Sequence, residues 1–390
     1  MSRSGAADLD LTRPPVTCTD APAVHMDPRP ALARTDADVP AAVERELAVC
    51  LAERRRDAAA VAPEVDGAVE VLERFVLGGG KRIRPTFAWW GWRGAGGDPD
   101  RAGAVLRAVS ALELLQACAL VHDDFIDASA TRRGCPTVHV EFAGRHRDEG
   151  WTGDSERFGA AAAVLLGDLA LAWADDMLQG CGLDAAALAR AGEPWRAMRT
   201  EVLAGQYLDV LAQARADTTS ASAMRVNRFK TAAYTVERPL HIGAALAGAD
   251  AELTDAYRRF GADVGVAFQL RDDMLGVFGD PEVTGKPAGD DLREGKRTLL
   301  VALALERAGE RGDAAAAQVV TRALGDPELD DAGVDRVRQV LVDLGATDAV
   351  EDRIATLTTS ALDALAGADV AEPAAAMLAD LADRATRRRR

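Results

Sequence analysis

The sequence predicts an all-α protein, and two observations carry that prediction. Of its 390 residues, 48% are hydrophobic but only 5% are aromatic, and the apolar set is dominated by Ala, Leu and Val. This composition is typical of helices packed on helices rather than of β-sandwiches. Apolar residues also recur at helical spacing, as Val43, Leu47 and Leu51 do. The chain is therefore expected to form a helical bundle with a sizeable core.

Prolines, glycines and periodicity divide the chain into segments. Residues 1–40 contain six prolines and no sustained periodicity, which predicts a disordered N-terminal leader. Residues 41–386 are expected to form one domain, because no internal linker is long enough to separate two domains. The four arginines at 387–390 form a basic tail. Within the domain, Gly78–Gly80 is expected to end the second helix.

The later elements follow from helical periodicity and glycine-rich breaks. Loops are expected at 134–157, which holds four glycines, and at 279–296, which is rich in glycine and polar residues. Shorter amphipathic helices follow to about residue 386. Several longer helices are apolar nearly all round, as inner members of a bundle are. The longer predicted helices span 101–127, 158–180, 196–213, 221–247 and 252–278.

Charge and cysteine usage exclude several classes of function. Lys and Arg number 46 against 62 Asp and Glu, a net charge of −16, so neither nucleic acid nor an anionic membrane is an expected partner. The five cysteines are far apart and form no CxxC pair, which indicates a reducing, cytoplasmic location and no zinc site. Gly167 and Asp168 interrupt the longest apolar run, so no stable membrane insertion is expected.

Asp123, Asp124 and Asp127 form a DDxxD pattern at the end of one apolar helix. In so acidic a chain such a triplet arises by chance, and its spacing alone indicates only a solvated turn. The apolar residues that precede it favour a site. Asp123 and Asp127 fall one turn apart on one face, and carboxylates so placed repel each other unless a cation such as Mg²⁺ lies between them.

A second acidic pair, Asp272 and Asp273, ends another apolar helix 149 residues after Asp123. If both helices line one cavity, the two carboxylate clusters face each other across it. Such an arrangement can hold several metal ions around a diphosphate.

Basic residues that could bind diphosphates lie beside glycines or acidic motifs. Lys81 and Arg84 follow the Gly78–Gly80 turn, whose backbone can approach an anion closely. The turn is not a Walker A loop, because Phe75 stands where that motif needs glycine. Taken alone, each basic group indicates only a solvated surface or a mobile loop. The other basic residues of this kind are Arg132, Arg133, Lys286 and Lys296.

Four segments, in their order along the chain, closely resemble the trans-polyprenyl diphosphate synthases, in particular bacterial geranylgeranyl diphosphate synthases. The resemblance implies the isoprenoid synthase type I helical bundle around a central cavity, a polyprenyl synthase catalytic domain over 41–386, and a homodimer. The four segments are GGGKRIRP (78–85), LELLQACALVHDDFIDASATRRGCPTVH (112–139), Lys230–Thr231 and FQLRDDMLGVFGDPEVTGKPAGDDLREGKRTLL (268–300).

The resemblance also implies roles for individual residues. Isopentenyl diphosphate is bound by Lys81, Arg84, Gln116 and Arg133. The allylic diphosphate is held, or its ionising end lined, by Arg132, Lys230, Thr231, Gln269, Lys286 and Lys296. About three Mg²⁺ bridge that diphosphate on Asp123, Asp127 and Asp272, with Asp124 and Asp273 in support. The catalytic set is these five acids with Lys230 and Gln269.

The chain departs from the family pattern at Gly276. In many relatives the second motif is also DDxxD, and here its last position is glycine. The departure removes one possible metal ligand. Because Asp272 is the usual ligand, activity is expected to survive.

The expected chemistry agrees with the residue types. Cleavage of an allylic C–O bond leaves a cation and a diphosphate, so the catalyst must supply fixed positive charge, and no nucleophilic Ser or Cys is needed. Product length depends on what blocks the cavity below the first motif. Cys118 and Ala119 are small, with Leu115 one turn deeper, which predicts geranylgeranyl diphosphate (C20). His122 is expected to be structural rather than a base.

Other interpretations remain open at this point. A farnesyl or longer polyprenyl diphosphate synthase would use the same motifs. A terpene cyclase of the same fold would not need Lys81, Arg84 and Arg133 for a second diphosphate, and a head-to-head condensing enzyme usually lacks the GGGKRIRP segment. A non-catalytic partner subunit would tend to lose the first Asp triplet, which is intact.

Overall fold

The computed structural model describes residues 29–279 and 289–387. These residues form a bundle of α-helices and one short antiparallel hairpin, β1 (Thr131–Arg132) with β2 (Cys135–Pro136), so the all-α prediction is confirmed. The helices of the first half are α1 (Arg29–Ala37), α2 (Val39–Val61), α3 (Pro63–Leu77), α4 (Ile83–Gly94), α5 (Ala102–Ile126), α6 (Val138–Asp148), α7 (Ser155–Gln179) and α8 (Ala185–Ala214). Those of the second half are α9 (Ser220–Val226), a π-helical segment (Asn227–Glu237), α10 (Arg238–Ala247), α11 (Ala251–Phe278), α12 (Asp290–Arg293), α13 (Leu299–Arg311), α14 (Ala314–Ala323), α15 (Asp331–Asp343), α16 (Ala346–Ala366) and α17 (Ala374–Thr386).

Local sequence signals set the ends of the long helices. Asp154, Asp184 and Asp250 are the N-cap residues of α7, α8 and α11, and each accepts a hydrogen bond from the backbone N–H three residues later. Such caps satisfy an otherwise unpaired N–H and place negative charge at the positive end of the helix. The C-terminal end of α3 is at Gly78, where the glycine turn predicts that a helix ends.

The helix α5 runs through the centre of the bundle and packs against α2, α4 and α7. Val105, Val109, Leu112 and Leu114 are fully buried and lie on different sides of the helix. Burial on every side explains why α5 is apolar nearly all round. The second half of the chain buries its own group of apolar side chains between α11, α13, α15 and α16.

Two glycines let the π-helical segment pack closely between α8 and α11. A Cβ atom at Gly205 of α8 would lie 2.3 Å from the backbone N of Lys230, and one at Gly265 of α11 would lie 2.6 Å from Cα of Ala232. Only glycine allows backbones to approach so closely. The two contacts fix the position of the π-helical segment, and with it that of the Lys230 side chain.

The structure corrects the predicted leader at its C-terminal end. Residues 29–37 form α1, and Asp36 accepts hydrogen bonds from Trp89 Nε1 (2.8 Å) and Arg93 Nε (3.1 Å). The prolines obscured this helix, although Pro30 stands in its first turn, where the missing N–H removes no helical hydrogen bond. Residues 1–28 and, in the predicted basic tail, residues 388–390 lie outside the described part of the chain.

The loop prediction at 134–157 is also wrong in its middle, where α6 forms. Val138, Phe142 and His146, spaced by four, are buried, and α6 packs against α7. In the sequence, the glycines on both sides of this short helix favoured a loop over the apolar spacing. Similarly, α8 begins before the predicted residue 196 and continues through Pro194. In the other predicted loop, 279–296, residues 290–293 form α12.

Two helices among the described residues are long and apolar enough to cross a membrane by length and composition alone: Pro99–Ile126, which includes α5, and α7. In the apolar stretch of the first helix, 67% of the residues are buried inside the bundle. In the apolar stretch of α7, 39% are buried. The first is therefore a core helix, whereas α7 leaves a large part of its apolar surface open.

Candidate active site

The four segments singled out in the sequence meet around one cavity of about 1120 Å³, walled by α4, α5, α8, the π-helical segment and α11. Most of the residues with predicted roles line it. These are Lys81, Arg84, Gln116, Ala119, Asp123, Arg132, Arg133, Lys230, Thr231, Gln269, Asp272, Asp273 and Lys296. Asp124, Asp127, Leu115 and Cys118 are not among the lining residues, and Lys286 lies outside the described part of the chain.

The first acidic motif occupies the C-terminal end of α5, with Asp127 as the C-cap residue. Asp124 is fully buried and accepts hydrogen bonds from Nε of Arg132 at 2.8 Å. Arg132 Nη2 also lies 3.7 Å from Oδ2 of Asp123. Asp124 therefore anchors the β1–β2 hairpin, which leaves Asp123 and Asp127 as the acids available to a metal ion.

Lys230 lies between two carboxylates. Its Nζ is 3.0 Å from Oδ1 of Asp123 and donates a hydrogen bond of 2.6 Å to Oδ2 of Asp209 on α8. The sequence interpretation missed Asp209, although a signal existed: an acid on a side of α8 that is otherwise buried, at Val202, Gly205 and Ala212. Asp209 keeps the ammonium group directed into the cavity.

Charge and burial shift the pKa values of this cluster in different directions. Burial opposes the ionisation of Asp123, but Lys230 and Arg132 outweigh it and lower its pKa. Burial and the Asp123 carboxylate raise the pKa of Asp127 to about 6. A pair in which one carboxylate disfavours the ionisation of the other is what a cation placed between them would relieve.

The second acidic motif lies at the C-terminal end of α11. Asp273 is buried and accepts hydrogen bonds from Gln269 Nε2 (2.7 Å) and Asn227 Nδ2 (3.4 Å), whereas Asp272 is exposed on the cavity wall. Burial raises the pKa of Asp273 to about 7. The hydrogen bond from Gln269 acts to lower this pKa, and the charges of Asp291 and Asp272 act to raise it. Asp272 is thus the accessible member of the pair, whereas Asp273 is bound by Gln269 and Asn227.

The donor set fits Mg²⁺ in one specific way. Among the described residues, no three His, Cys, Asp or Glu side chains come close enough together to hold an ion by themselves. Mg²⁺ characteristically binds through one or two carboxylates and completes its shell with water and substrate phosphate oxygens. The separate carboxylates at the ends of α5 and α11 suit an ion that binds together with a phosphate ligand.

A second group of positive charge surrounds the Gly78–Arg84 turn. The guanidinium of Arg84 stacks on the Tyr234 ring at 3.8 Å, and its Nη2 donates a hydrogen bond to Thr235 Oγ1 at 2.9 Å. The Tyr234 hydroxyl donates in turn to Oε1 of Gln116. One buried tyrosine therefore orients both Arg84 and Gln116, a role that the sequence interpretation missed.

Adjacent arginines of the hairpin point to different groups of residues. Arg132 contacts the acids of α5, whereas Arg133 donates a hydrogen bond to the Gly79 carbonyl. Arg133, whose pKa is lowered by burial and by Arg132, therefore belongs with the Gly78–Arg84 turn. The cavity has two basic regions, one beside the carboxylate clusters and one beside the glycine turn.

A family model described as polyprenyl synthetase matches residues 67–339, more than half of the chain. The chain belongs to that family. It is 35% identical to the geranylfarnesyl diphosphate synthase of Aeropyrum pernix, over 71% of this chain and 80% of that one. Identity to a (2E,6E)-farnesyl diphosphate synthase of Mycobacterium tuberculosis is 36%, over 62% of this chain and 61% of the relative. Both are prenyl-transferring synthases, and the predicted family and enzyme class are confirmed.

The fold is similar to a solved structure of the same family. That structure is a geranylgeranyl pyrophosphate synthase from Corynebacterium glutamicum, complexed with isoprenyl diphosphate and magnesium. The TM-score is 0.86 and the identity 47%, over 90% of this chain and 98% of that one. The isoprenyl synthase bundle implied by the sequence is therefore confirmed.

The small residues below the first motif of the synthase point in different directions. Ala119 lines the cavity. The Cys118 thiol instead lies 3.7 Å from Nδ1 of His122, whose Nε2 bonds the Val164 carbonyl of α7 at 3.2 Å. Gly167 makes room for this ring, because a Cβ there would lie 2.0 Å from His122 Nε2. His122 therefore connects α5 to α7, which supports a structural role.

Proposed function

We propose that this synthase condenses isopentenyl diphosphate with allylic diphosphates, head to tail and in the trans configuration, and that its main product is geranylgeranyl diphosphate. The observation that carries the proposal is the division of one cavity into two basic regions, with Arg132 beside the acids and Arg133 beside the glycine turn. Two diphosphates need two such regions. A terpene cyclase, which ionises a single diphosphate, needs only one.

In this proposal each region binds one substrate. Isopentenyl diphosphate occupies the region of the glycine turn, bound by Lys81, Arg84, Gln116 and Arg133. The allylic diphosphate lies beside the carboxylate clusters, with Arg132, Lys230, Thr231, Gln269 and Lys296 around it. Lys286 belongs to the same set on sequence grounds alone. About three Mg²⁺ would be held by Asp123, Asp127 and Asp272, and they would supply positive charge to the departing diphosphate.

The residues of the chain assist each stage of the reaction. Lys230, fixed by Asp209, stabilises the negative charge that grows on the diphosphate as the allylic C–O bond breaks. Ala119, Leu120 and Phe268 line the wall, and an apolar wall keeps water from the allylic cation. The isopentenyl double bond then attacks the cation, and the proton lost from the adduct passes to the released diphosphate.

Incubating the purified protein with Mg²⁺, isopentenyl diphosphate and each of the C5, C10 and C15 allylic primers tests the proposal. Mass spectrometry should show C20 diphosphate as the main end product. A C15 end product, or one longer than C20, would support the alternative synthases. A hydrocarbon formed without isopentenyl diphosphate would indicate a cyclase, and no product in any incubation would favour a non-catalytic partner subunit. Either of these last two outcomes would contradict the proposed reaction, and an end product of another length would contradict the proposed product.

Product length should depend on Ala119. Replacing Ala119 with Phe puts an aromatic ring into the cavity one turn below Asp123, and an isoprene unit is about as long as that turn. The main product should therefore shorten from C20 to C15 or C10. The control is Cys118→Ala, since that thiol contacts His122 and does not line the cavity. Unchanged C20 in Ala119→Phe would refute this account of chain length.

Activation by Mg²⁺ should depend on pH because the metal must displace protons. The pKa of Asp127 is raised to about 6 and that of Asp273 to about 7 in the metal-free site. Below these values the acids are protonated. A proton on Asp127 competes directly with the metal, and a proton on Asp273 removes negative charge next to Asp272. The half-saturating Mg²⁺ concentration should rise roughly tenfold between pH 8 and pH 6. The KM for isopentenyl diphosphate, measured at saturating Mg²⁺, is the control and should change little, because neither acid lies in the basic region of the glycine turn.

The proposal includes a homodimer. Apolar side chains on α7 are open to solvent, with Leu165 68% and Val164 42% exposed, and on α8 Tyr207 is 65% exposed. Open apolar surface of this kind is typical of interfaces, and a second copy of the chain is the occupant we propose. Sedimentation should give a mass twice the 41.1 kDa of one chain. A monomer at micromolar concentration would contradict it.

The proposal also includes three expectations for which the sequence analysis gave the arguments. They are a cytoplasmic location, no nucleic-acid partner and a single catalytic domain. The domain is supported by the family match at 67–339 and by the helices that continue to Thr386.

A further inference from the structure

The second acidic motif lacks its last carboxylate, and another residue occupies the space where it would begin. Gly276 stands four residues after Asp272 on α11, on the same face of that helix. A Cβ atom at 276 would lie only 1.8 Å from Oδ2 of Asp291. The carboxylate of Asp291 therefore fills the position in which a side chain at 276 would start.

The backbone around α12 brings Asp291 to this place. Gly289 donates its N–H to the Gly276 carbonyl at 3.2 Å, which attaches the start of α12 directly to α11. Gly289 has a left-handed backbone (φ +78°), and a Cβ there would lie 2.6 Å from Cγ2 of Val334, so glycine is needed on both grounds. Lys296 N–H donates to the Asp291 carbonyl at 2.9 Å and closes the turn.

The Asp291 side chain is held in one orientation. Its Oδ1 accepts a hydrogen bond of 2.8 Å from Lys296 Nζ, and its Oδ2 is the atom beside Gly276. The Asp291 side chain is 13% exposed. Asp291, Lys296 and Asp272 all line the cavity. An acid so held has little rotamer entropy left to lose when it meets a cation.

We propose that Asp291 supplies the carboxylate that residue 276 lacks, so that the second metal-binding cluster is built from α11 and α12 together. Asp272 and Asp291, which both line the cavity, are the carboxylates that would face the ion. This inference rests on the proposed function, since it concerns the Mg²⁺ of the same site. It explains how the chain can carry glycine at 276 without losing a negative charge from the cluster.

The test moves the carboxylate from one element to the other. Asp291→Ala removes it, and Gly276→Asp/Asp291→Ala places one on α11 instead. The measurement is the unfolding temperature at a fixed concentration of inorganic diphosphate as Mg²⁺ is raised, because a ligand that binds only the folded state raises that temperature. No turnover is involved. The quantity compared between variants is the Mg²⁺ concentration that gives half of the full increase in unfolding temperature.

We expect Asp291→Ala to raise that concentration about tenfold and the double variant to recover most of the loss. Asp291→Asn, which keeps the size and an acceptor for Lys296, should lose as much as Asp291→Ala. Asp380→Ala, an exposed surface acid on α17 paired with Arg384, is the charge-matched control and should match the unmodified protein. Unfolding temperatures without metal show whether each variant folds.

Three outcomes would overturn the inference. They are a normal Mg²⁺ response in Asp291→Asn, a normal response in Asp291→Ala, or a double variant as weak as Asp291→Ala. A normal response in Asp291→Asn with a weak one in Asp291→Ala would mean that Asp291 acts only by positioning Lys296. A double variant as weak as Asp291→Ala would mean that a carboxylate at 276 does not replace that of Asp291. A failure of the proposed function looks different, because the unmodified protein itself would then show no Mg²⁺-dependent stabilisation by diphosphate.

Discussion

Replacing Asp123 with Asn should lower kcat by roughly 100- to 1000-fold. Asp123 is the acid of the first motif that both lines the cavity and contacts Lys230. The substitution removes one charge from the cluster that would bind Mg²⁺, so the charge on the departing diphosphate is less well stabilised. Steady-state kinetics with C15 primer and isopentenyl diphosphate measures the effect.

The fold should survive this substitution, because Lys230 keeps its hydrogen bond to Asp209 and Asp124 keeps Arg132. Asp176→Asn is the control, since Asp176 lies on α7 with its side chain 62% exposed. The control should keep full activity. A kcat for Asp123→Asn within about fivefold of the unmodified enzyme would fall far short of the loss of a charge-stabilising group and would remove Asp123 from the proposed ligand set.

The sequence was sufficient for the helices that carry the acidic motifs. Both α5 and α11 combine a long apolar period with acids at the C-terminal end, and both are found within a residue or two of their predicted bounds. These signals are local, because periodicity and helix ends depend on neighbours a few residues away. The meeting of the four segments in one cavity came from the family resemblance, since no local signal contains it.

What the sequence could not give is the set of side chains that hold the functional ones in place. Asp209, Tyr234 and Asp291 act through contacts with residues 21, 118 and 15 positions away: Lys230, Gln116 and Gly276 respectively. Such contacts depend on the rotation of each helix about its axis and on close backbone approach. The approach at Gly205 and at Gly265 is decided by tertiary packing, and in sequence each is only a glycine within a helix.

Elements with short or interrupted periods were lost for a different reason. α1 contains Pro30, and α6 offers only four buried positions between flanking glycines. Neither helix would be stable alone, because a helix this short gains too few hydrogen bonds to offset its nucleation cost. Both depend on contacts with other elements, α1 on Trp89 and Arg93 and α6 on α7. The sequence does not contain those contacts, and its prolines and glycines favoured irregular structure.

Replacing Arg82 with Ala should have the largest effect on stability, about 3–5 kcal/mol in the free energy of unfolding. Arg82 is 3% exposed, donates 2.8 Å hydrogen bonds to Glu113 Oε2 and to the Val76 carbonyl, and has a left-handed backbone (φ +47°). Its loss leaves Glu113, which is 6% exposed, buried without that cation. Denaturant unfolding measures the change.

The same substitution should raise the KM for isopentenyl diphosphate and leave that for the allylic primer unchanged, because Arg82 anchors the turn between Lys81 and Arg84. The matched control is Arg74→Ala, which breaks an exposed pair with Glu141 and should cost about 0–1 kcal/mol. A double variant, Arg82→Met/Glu113→Leu, separates the two effects. It should recover stability, since apolar residues of similar volume can replace a buried ion pair, but it should keep the raised KM, because the turn has lost its hydrogen bond to Val76. Recovery of both quantities would show that Arg82 serves the fold alone.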